Sequence, residues 1–232
     1  MLRPIHCAVI LSLALTSVTQ AQAPAFDVSK LTLGRDSLGI TLTQNGQERV
    51  LGSAWDELTL GPEDQLRRIY RMENVIFGPL LDTVVLDPGS FRLSARRTVG
   101  RVNSDSLAVT HDTVYGWQQV QTGPKQPLAL YLPSGVIDAN AFDLAIRVTD
   151  WAPGVSKTWQ AFLPSQSGIV PLAAYFDGTE LVHQRNGQEV AAWRIVGDFA
   201  GSPVTFWVDP RTRALVKESL GLSHGAAMVF LR

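Results

Sequence analysis

Cysteine is almost absent from this sequence, since its 232 residues contain only one, Cys7. It lies in a segment that predicts a signal peptide, because Arg3 precedes an apolar run over residues 8–18 that is too short to span a bilayer comfortably. We expect cleavage after residue 21, with cleavage after residue 23 as the alternative. The mature chain would then have no cysteine, which excludes disulfides, thiolate nucleophiles and cysteine metal sites.

The sequence also lacks an excess of charge and a second long apolar segment. It has 20 Lys and Arg against 21 Asp and Glu, without a basic block, so nucleic acid is not an expected partner. We expect no transmembrane helix after the signal peptide. A periplasmic or secreted protein is predicted, with residues 22–232 as a single β-rich domain. A finer division into two related halves, about residues 30–122 and 123–232, stays open.

Two stretches of the chain share residue types at the same spacing. The pattern Phe77, Thr83, Asp87, Pro88 and Leu93 recurs at a constant offset as Phe199, Thr205, Asp209, Pro210 and Leu215. In each copy an apolar run stops at Asp-Pro, where Asp can bond the backbone two residues on and Pro presets φ. The pattern predicts two hairpins that turn at Asp-Pro and join antiparallel neighbours.

Short apolar runs and turn residues alternate along the rest of the chain. Asn45-Gly46 lies between two strand-like runs and is the strongest hairpin signal, and Asp177-Gly178 predicts another turn. A connector is predicted over residues 123–135. Residues 137–148 contain the best helical segment, and one helical turn after Pro62 is an alternative to a strand. The expected fold is mostly all-β: an open, curved antiparallel sheet or half-barrel with one or two short helices.

No constellation of catalytic or metal-binding residues stands out. Ser223 lies in a Gly-x-Ser-x-Gly match, but too few residues follow for the required helix, base and acid, so a turn is predicted. His111 and His183 lack partners at metal-ligand spacing. We therefore expect no catalytic residue, no cofactor and no metal.

Carboxylates are numerous, and a glycosidase would need two of them brought close together by the fold. The simplest interpretation makes most of the candidates turn or solvent-facing residues. These candidates are Asp56, Glu57, Glu63, Asp64 and Asp138.

Six tryptophans form an unusually aromatic set for this length. Core packing is the simpler explanation, and a groove lined for a sugar or a lipid is the alternative. The candidates for a ligand-facing aromatic surface are Trp117, Trp159, Trp193 and Trp207.

The order of features over residues 140–232 resembles a known family. The segment contains Ala141-Phe142-Asp143-Leu144, then Trp193-Arg194-Ile195-Val196, and then the hairpin from Thr205 to Lys217. It is similar to secreted bacterial proteins of the domain of unknown function 3108 family, whose sheet carries such a hairpin near its end. The resemblance implies an open, strongly curved antiparallel sheet, related in shape to periplasmic lipoprotein carriers, whose concave face can hold an acyl chain. It implies no catalytic residue.

Two functions fit these observations. The first is a non-enzymatic binding or envelope-interaction module, with a lipid or another apolar molecule as ligand. The alternative is a hydrolase that acts on a polymer of the cell envelope. A carrier needs an apolar concavity with few polar groups, whereas a hydrolase needs carboxylates or a Ser-His pair that converge in a cleft with shifted pKa values.

Overall fold

A computed structural model describes residues 25–232, and these residues form one sheet of fifteen strands. The predicted signal peptide and its cleavage site lie outside the described residues. The strands are β1 (Gly34–Gln44), β2 (Gln47–Leu60), β3 (Leu66–Asn74), β4 (Leu80–Leu86), β5 (Leu93–Gly100), β6 (Asn103–Thr110), β7 (Thr113–Val120), β8 (Gln126–Tyr131), β9 (Val136–Asp138), β10 (Ser156–Leu163), β11 (Gly168–His183), β12 (Glu189–Phe199), β13 (Ser202–Val208), β14 (Leu215–Gly221) and β15 (Ala227–Leu231).

The strand order follows the chain on each side of one central junction. β1 pairs with both β2 and β15, so the order runs from β8 down to β1, then from β15 down to β9. Neighbours are antiparallel except β9 and β10, which are parallel. The predicted fold, an open and curved antiparallel sheet with a short helix, is confirmed. None of the helices within residues 25–232 has the length and apolar character needed to cross a bilayer.

The sheet curves until its two ends share one core. Leu107 and Val114 of the β6–β7 end lie in the same buried cluster as Trp159 and Phe162 of β10. A hydrogen bond from Gln118 Nε2 to Ser167 Oγ also joins β7 to the turn before β11. The concave side is therefore a packed interior.

One short helix fills this interior. α1 (Phe142–Val148) follows a 3₁₀ turn at Ala139–Ala141, and all seven of its residues are buried. The predicted helix within residues 137–148 is confirmed. Asp138 begins the segment, because its carboxylate accepts a hydrogen bond from the Asn140 backbone N–H at 2.8 Å.

The two Asp-Pro hairpins have the same turn geometry, as the spacing predicts. Asp87 accepts from the Phe91 N–H, and Asp209 accepts from the Arg213 N–H, in turns that join β4 to β5 and β13 to β14. Phe91 and Arg213 have φ of 51° and 58°, the left-handed region that closes such loops. Both hairpins also carry a register shift near the turn.

Other turn predictions had mixed outcomes. Asn45-Gly46 closes the β1–β2 hairpin with φ of 53° and 75°, as a primed turn requires. A 3₁₀ turn over Pro62–Asp64 precedes β3. Asp177-Gly178 is not a turn: β11 continues through it, and a register shift at Gly178 keeps the pairing with β12. The predicted connector over residues 123–135 contains the edge strand β8.

Buried apolar side chains form three clusters. The largest surrounds α1, and a second lies around Ile40, Met72 and Phe230. A third surrounds Trp207 and includes residues from β11, β12 and β14. It lies on the opposite face of the sheet, because the adjacent residue Phe206 belongs to the first cluster and side chains alternate along a strand. The half-buried Leu220 packs against both inner clusters, which places it at their junction.

Candidate functional site

The candidate site is a cavity of about 290 Å³ between α1 and the concave side of the sheet. It lies at the junction of the two inner clusters, and its lining combines polar and apolar side chains. The polar lining consists of Arg68, Tyr70, Asp82, Arg96, Thr98, Asn103, Asn140, Asp143 and Glu218. The apolar lining consists of Leu80, Val84, Ala139, Phe142, Phe199, Phe206, Leu220, Met228 and Phe230.

One buried ion-pair cluster, the Arg68 cluster, consists of Asp56, Arg68 and Asp143. Arg68 binds Asp56 through Nε and Nη2, at 2.8 and 2.9 Å, and binds both oxygens of Asp143, at 2.6 and 3.1 Å. Its Nη1 also donates to the Asn140 backbone oxygen at 2.5 Å. A guanidinium has five N–H groups, so Arg68 has no donor left for a ligand. The cluster ties β2 and β3 to α1.

A second cluster, the Arg96 cluster, consists of Asp82, Arg96, Asp105 and Asp138. Arg96 lies 3.4, 3.5 and 3.7 Å from the three carboxylates. Within residues 25–232, the only hydrogen bond of its guanidinium is from Nε to Thr98 Oγ1, at 2.9 Å. One oxygen of Asp105, one of Asp138 and the Arg96 Nη1 atom are buried without a hydrogen bond among the described residues.

Asp105 and Asp138 of the Arg96 cluster are harder to ionise than ordinary carboxylates. Burial raises the pKa of Asp138 to about 6, and Asp82 and Asp105 add to the shift while Arg96 opposes it. Burial also raises the pKa of Asp105. One guanidinium therefore does not fully offset the desolvation and mutual repulsion of three carboxylates.

Asn140 joins the two clusters. Its backbone oxygen accepts from Arg68, its side-chain amide donates to Asp82, and its backbone N–H donates to Asp138. The turn that begins α1 thus sets the relative position of both charged groups.

Glu218 on β14 contributes a further carboxyl to the cavity wall. It has no hydrogen bond or ion pair with the described residues, and burial, together with repulsion from Asp143, raises its pKa to about 8. Tyr70 also lines the cavity, and burial, followed by the Glu218 charge, raises its pKa. At neutral pH the free protein therefore holds an uncharged acid at this position.

Aromatic rings form much of the apolar part of the lining. The Phe142 ring lies edge-on to Phe206, with centroids 5.4 Å apart, and 6.1 Å from Phe199. Phe142 comes from α1, Phe199 from β12 and Phe206 from β13, so three separate elements hold the rings in place. The cavity is consequently amphipathic and sits on rigid structure.

The four tryptophans named from the sequence lie in four different surroundings, and none lines this cavity. Trp159 is in the core, edge-on to Phe142, and also borders a separate cleft. Trp207 belongs to the cluster on the opposite face, and its Nε1 donates to Glu180 at 3.0 Å. Trp193 is half-buried under Arg213, and Trp117 lies under Lys125. A ligand-binding role for the four stays a prediction.

Asp56 and Asp138 were both predicted from the sequence to be turn or solvent-facing residues. Asp56 and Asp138 are 8% and 0% exposed, neither at a solvent-facing position. For Asp56 the interpretation was wrong, because this residue lies in phase with the inward Ala54 and Leu58 of β2, where alternation directs a side chain to the core. Arg68 is likewise in phase with Leu66 and Met72. Asp138 does begin a 3₁₀ turn, as a turn residue would, but it is buried.

The other chemical candidates lie away from the cavity. Ser223 is exposed in a 3₁₀ turn between β14 and β15, without a hydrogen bond to its hydroxyl among the described residues. His111 and His183 are both exposed. Within residues 25–232, no group of three His, Cys, Asp or Glu side chains could hold a metal ion.

Comparisons with known proteins identify a structure of similar fold but no family. No protein-family model matches this chain, and no curated protein has a similar sequence. A crystal structure of a beta-barrel-like protein of domain of unknown function DUF1849 from Brucella abortus is similar with a TM-score of 0.53 at 10% identity, over 87% of this chain and 96% of that one. The hypothetical lipoprotein YmcC from Escherichia coli has a TM-score of 0.31 at 13% identity, over 92% of this chain and 90% of its own.

The first of these comparisons shows that the fold is shared with a beta-barrel-like domain of unknown function. At this level of identity the likeness concerns the fold alone. The resemblance to the domain of unknown function 3108 family stays a prediction.

Proposed function

We propose that this protein is a non-enzymatic, periplasmic or secreted binding module that holds a small amphipathic molecule in the cavity beside α1. The observation that carries the proposal is one 290 Å³ cavity whose lining combines aromatic rings with charged and polar side chains. Small-molecule sites combine a mostly apolar lining with a few fixed polar groups in this way. The location rests on the predicted signal peptide.

The cavity refines the ligand expected from the sequence. A bare acyl chain would leave the polar lining without partners, since buried polar groups are costly when unpaired. A molecule with an apolar part against Phe142 and Phe206, and a polar part towards Glu218, would satisfy both parts of the lining. We therefore favour an amphipathic ligand over a purely apolar one.

A hydrolase acting on an envelope polymer is the second candidate, because Glu218 holds a proton at neutral pH as a general acid must. A glycosidase also needs a second, free carboxylate as nucleophile or base. The nearby carboxylates of Asp56 and Asp143 are both occupied by Arg68. This arrangement favours binding over hydrolysis.

Native mass spectrometry of protein purified from the periplasm, without detergent, tests the proposal. We expect a copurified small molecule in the wild type and its loss in Leu220→Trp, which fills the cavity from β14. Ser219→Trp is the matched control, because Ser219 is the adjacent residue on the opposite face of the same strand. Absence of any bound molecule, together with release of fragments from purified envelope glycan, would favour the hydrolase.

A further inference from the structure

Negative charge exceeds positive charge around the cavity. Six carboxyl groups, but only two guanidinium groups, line it or belong to the two clusters in its wall. The carboxyl groups are those of Asp56, Asp82, Asp105, Asp138, Asp143 and Glu218, and the guanidinium groups are those of Arg68 and Arg96. Unbalanced charge of one sign is costly in a buried site, and a ligand of opposite charge would relieve this cost.

A ligand could relieve this cost by pairing with Glu218. The Glu218 side chain is half-buried, lines the cavity and has no partner among the described residues. The facing charged groups are Asp143 on α1, Asp56 on β2 and Arg68 on β3, with the Tyr70 hydroxyl nearby. Arg68 has donated all five of its N–H groups, and no Lys, Arg or His of residues 25–232 forms an ion pair with Glu218.

The apolar lining suits a cation as well. Phe142, Phe199 and Phe206 present aromatic rings to the same space, and the π-face of a ring attracts an ammonium group. A carboxyl flanked by aromatic rings, as Glu218 is by its strand partners Phe206 and Phe230, is a combination that recognises an amine carrying an apolar substituent.

An anionic ligand fits this cavity poorly. Arg68 has used all five of its N–H groups. Arg96 Nη1 makes no hydrogen bond with residues 25–232, but it lies 3.7 Å from Asp138, and the Arg96 guanidinium is within 3.5 Å of Asp82 and Asp105. A bound anion would therefore be repelled by three carboxylates and would gain in return one donor atom, Arg96 Nη1.

We propose that the ligand of this cavity is an organic cation, a protonated amine with an apolar substituent, whose ammonium group pairs with Glu218 while its apolar part packs against Phe142 and Phe206. This inference rests on the proposed binding function and names its ligand class. Pairing with the cation ionises Glu218, so binding releases the proton that the free carboxyl holds.

Isothermal titration calorimetry with three probes of equal chain length tests the charge. Hexylammonium, hexanol and hexanoate share their apolar part and differ in the head group. We expect hexylammonium to bind at least about tenfold more tightly than hexanol, a difference of about 1.4 kcal/mol, and hexanoate to bind more weakly than both. Titrations at pH 7 in two buffers of different ionisation enthalpy should show release of close to one proton per hexylammonium bound.

Glu218→Gln should lower the affinity for hexylammonium about tenfold, abolish proton release and leave hexanol binding unchanged. Glu48→Gln, at an exposed position of β2, should behave like the wild type. Equal or tighter binding of hexanol or hexanoate would overturn the cation proposal and leave the binding function standing. If none of the three probes bound, and native mass spectrometry found no copurified molecule, both proposals would fail.

Discussion

Glu218→Gln should make the stability of the ligand-free protein less dependent on pH between pH 6 and pH 8. The pKa of Glu218 is about 8 in the folded protein, against an ordinary value of 4.5. In this window the folded state keeps a proton that the unfolded chain has released, so the free energy of unfolding of the wild type decreases as pH rises. Integration between pH 6 and pH 8 gives a loss of about 2 kcal/mol from this group.

Urea unfolding at pH 6, 7 and 8 measures the effect. The stability of Glu218→Gln relative to the wild type should increase by about 2 kcal/mol over this range, because glutamine does not titrate. Glu48→Gln is the control for loss of an exposed carboxyl and should follow the wild type. If the wild type and Glu218→Gln lost stability in parallel, Glu218 would not hold a proton in the folded state, and the account of its environment would be refuted.

The remaining predictions concern packing, turns and the serine motif. Arg68→Met should cost about 3 kcal/mol or more in urea unfolding, because it leaves two buried carboxylates unpaired; an effect below 1 kcal/mol would mean that these carboxylates are solvated. Trp207→Ala should lower the free energy of unfolding by about 3 kcal/mol, since its large side chain is buried. Pro210→Ala should lower it by under about 1 kcal/mol, because its effect comes from the greater conformational entropy of the unfolded chain. Similar thermal melts for the two variants would contradict this order. A fluorophosphonate probe should leave Ser223 unlabelled, and labelling that Ser223→Ala abolishes would favour the hydrolase.

Local patterns were sufficient to predict the hairpins and the class of the fold. Asp-Pro and Asn-Gly fix backbone geometry through the residues themselves, so Asp87, Asp209 and Asn45 lie in the predicted turns. Gly178 shows the limit of such signals, because a glycine in a long strand can produce a register shift instead of a reversal. Only the pairing of β11 with β12 on both sides of Gly178 distinguishes the two outcomes.

The candidate site could not be predicted in the same way, because its partners are distant along the chain. Arg68 is 12 residues from Asp56 and 75 from Asp143, and only the position of α1 inside the sheet brings them together. A partial signal was present, since Asp56 and Arg68 occupy inward positions of alternating strands. An inward position in an alternating strand indicates that a charged side chain is buried, but it predicts neither its partner nor the cavity. Glu218 gives a weaker signal still, because residues 217–221 of β14 are all half-buried and their exposure does not alternate.

The two arginine clusters differ in how completely their hydrogen bonds are satisfied. This difference distinguishes groups that hold the fold together from groups that are left to bind a ligand. Arg68 donates five hydrogen bonds and joins β2, β3 and α1, so a ligand would gain little from contact with it. Among the residues that the structure describes, Arg96, Asp105 and Asp138 keep unpaired atoms, and the Glu218 carboxyl has no partner. A fully satisfied network rigidifies a core, whereas a partly satisfied one retains polar groups for another molecule. The Arg68 cluster therefore holds α1 against the sheet, and the binding energy is expected from Glu218 and the aromatic lining that α1 completes.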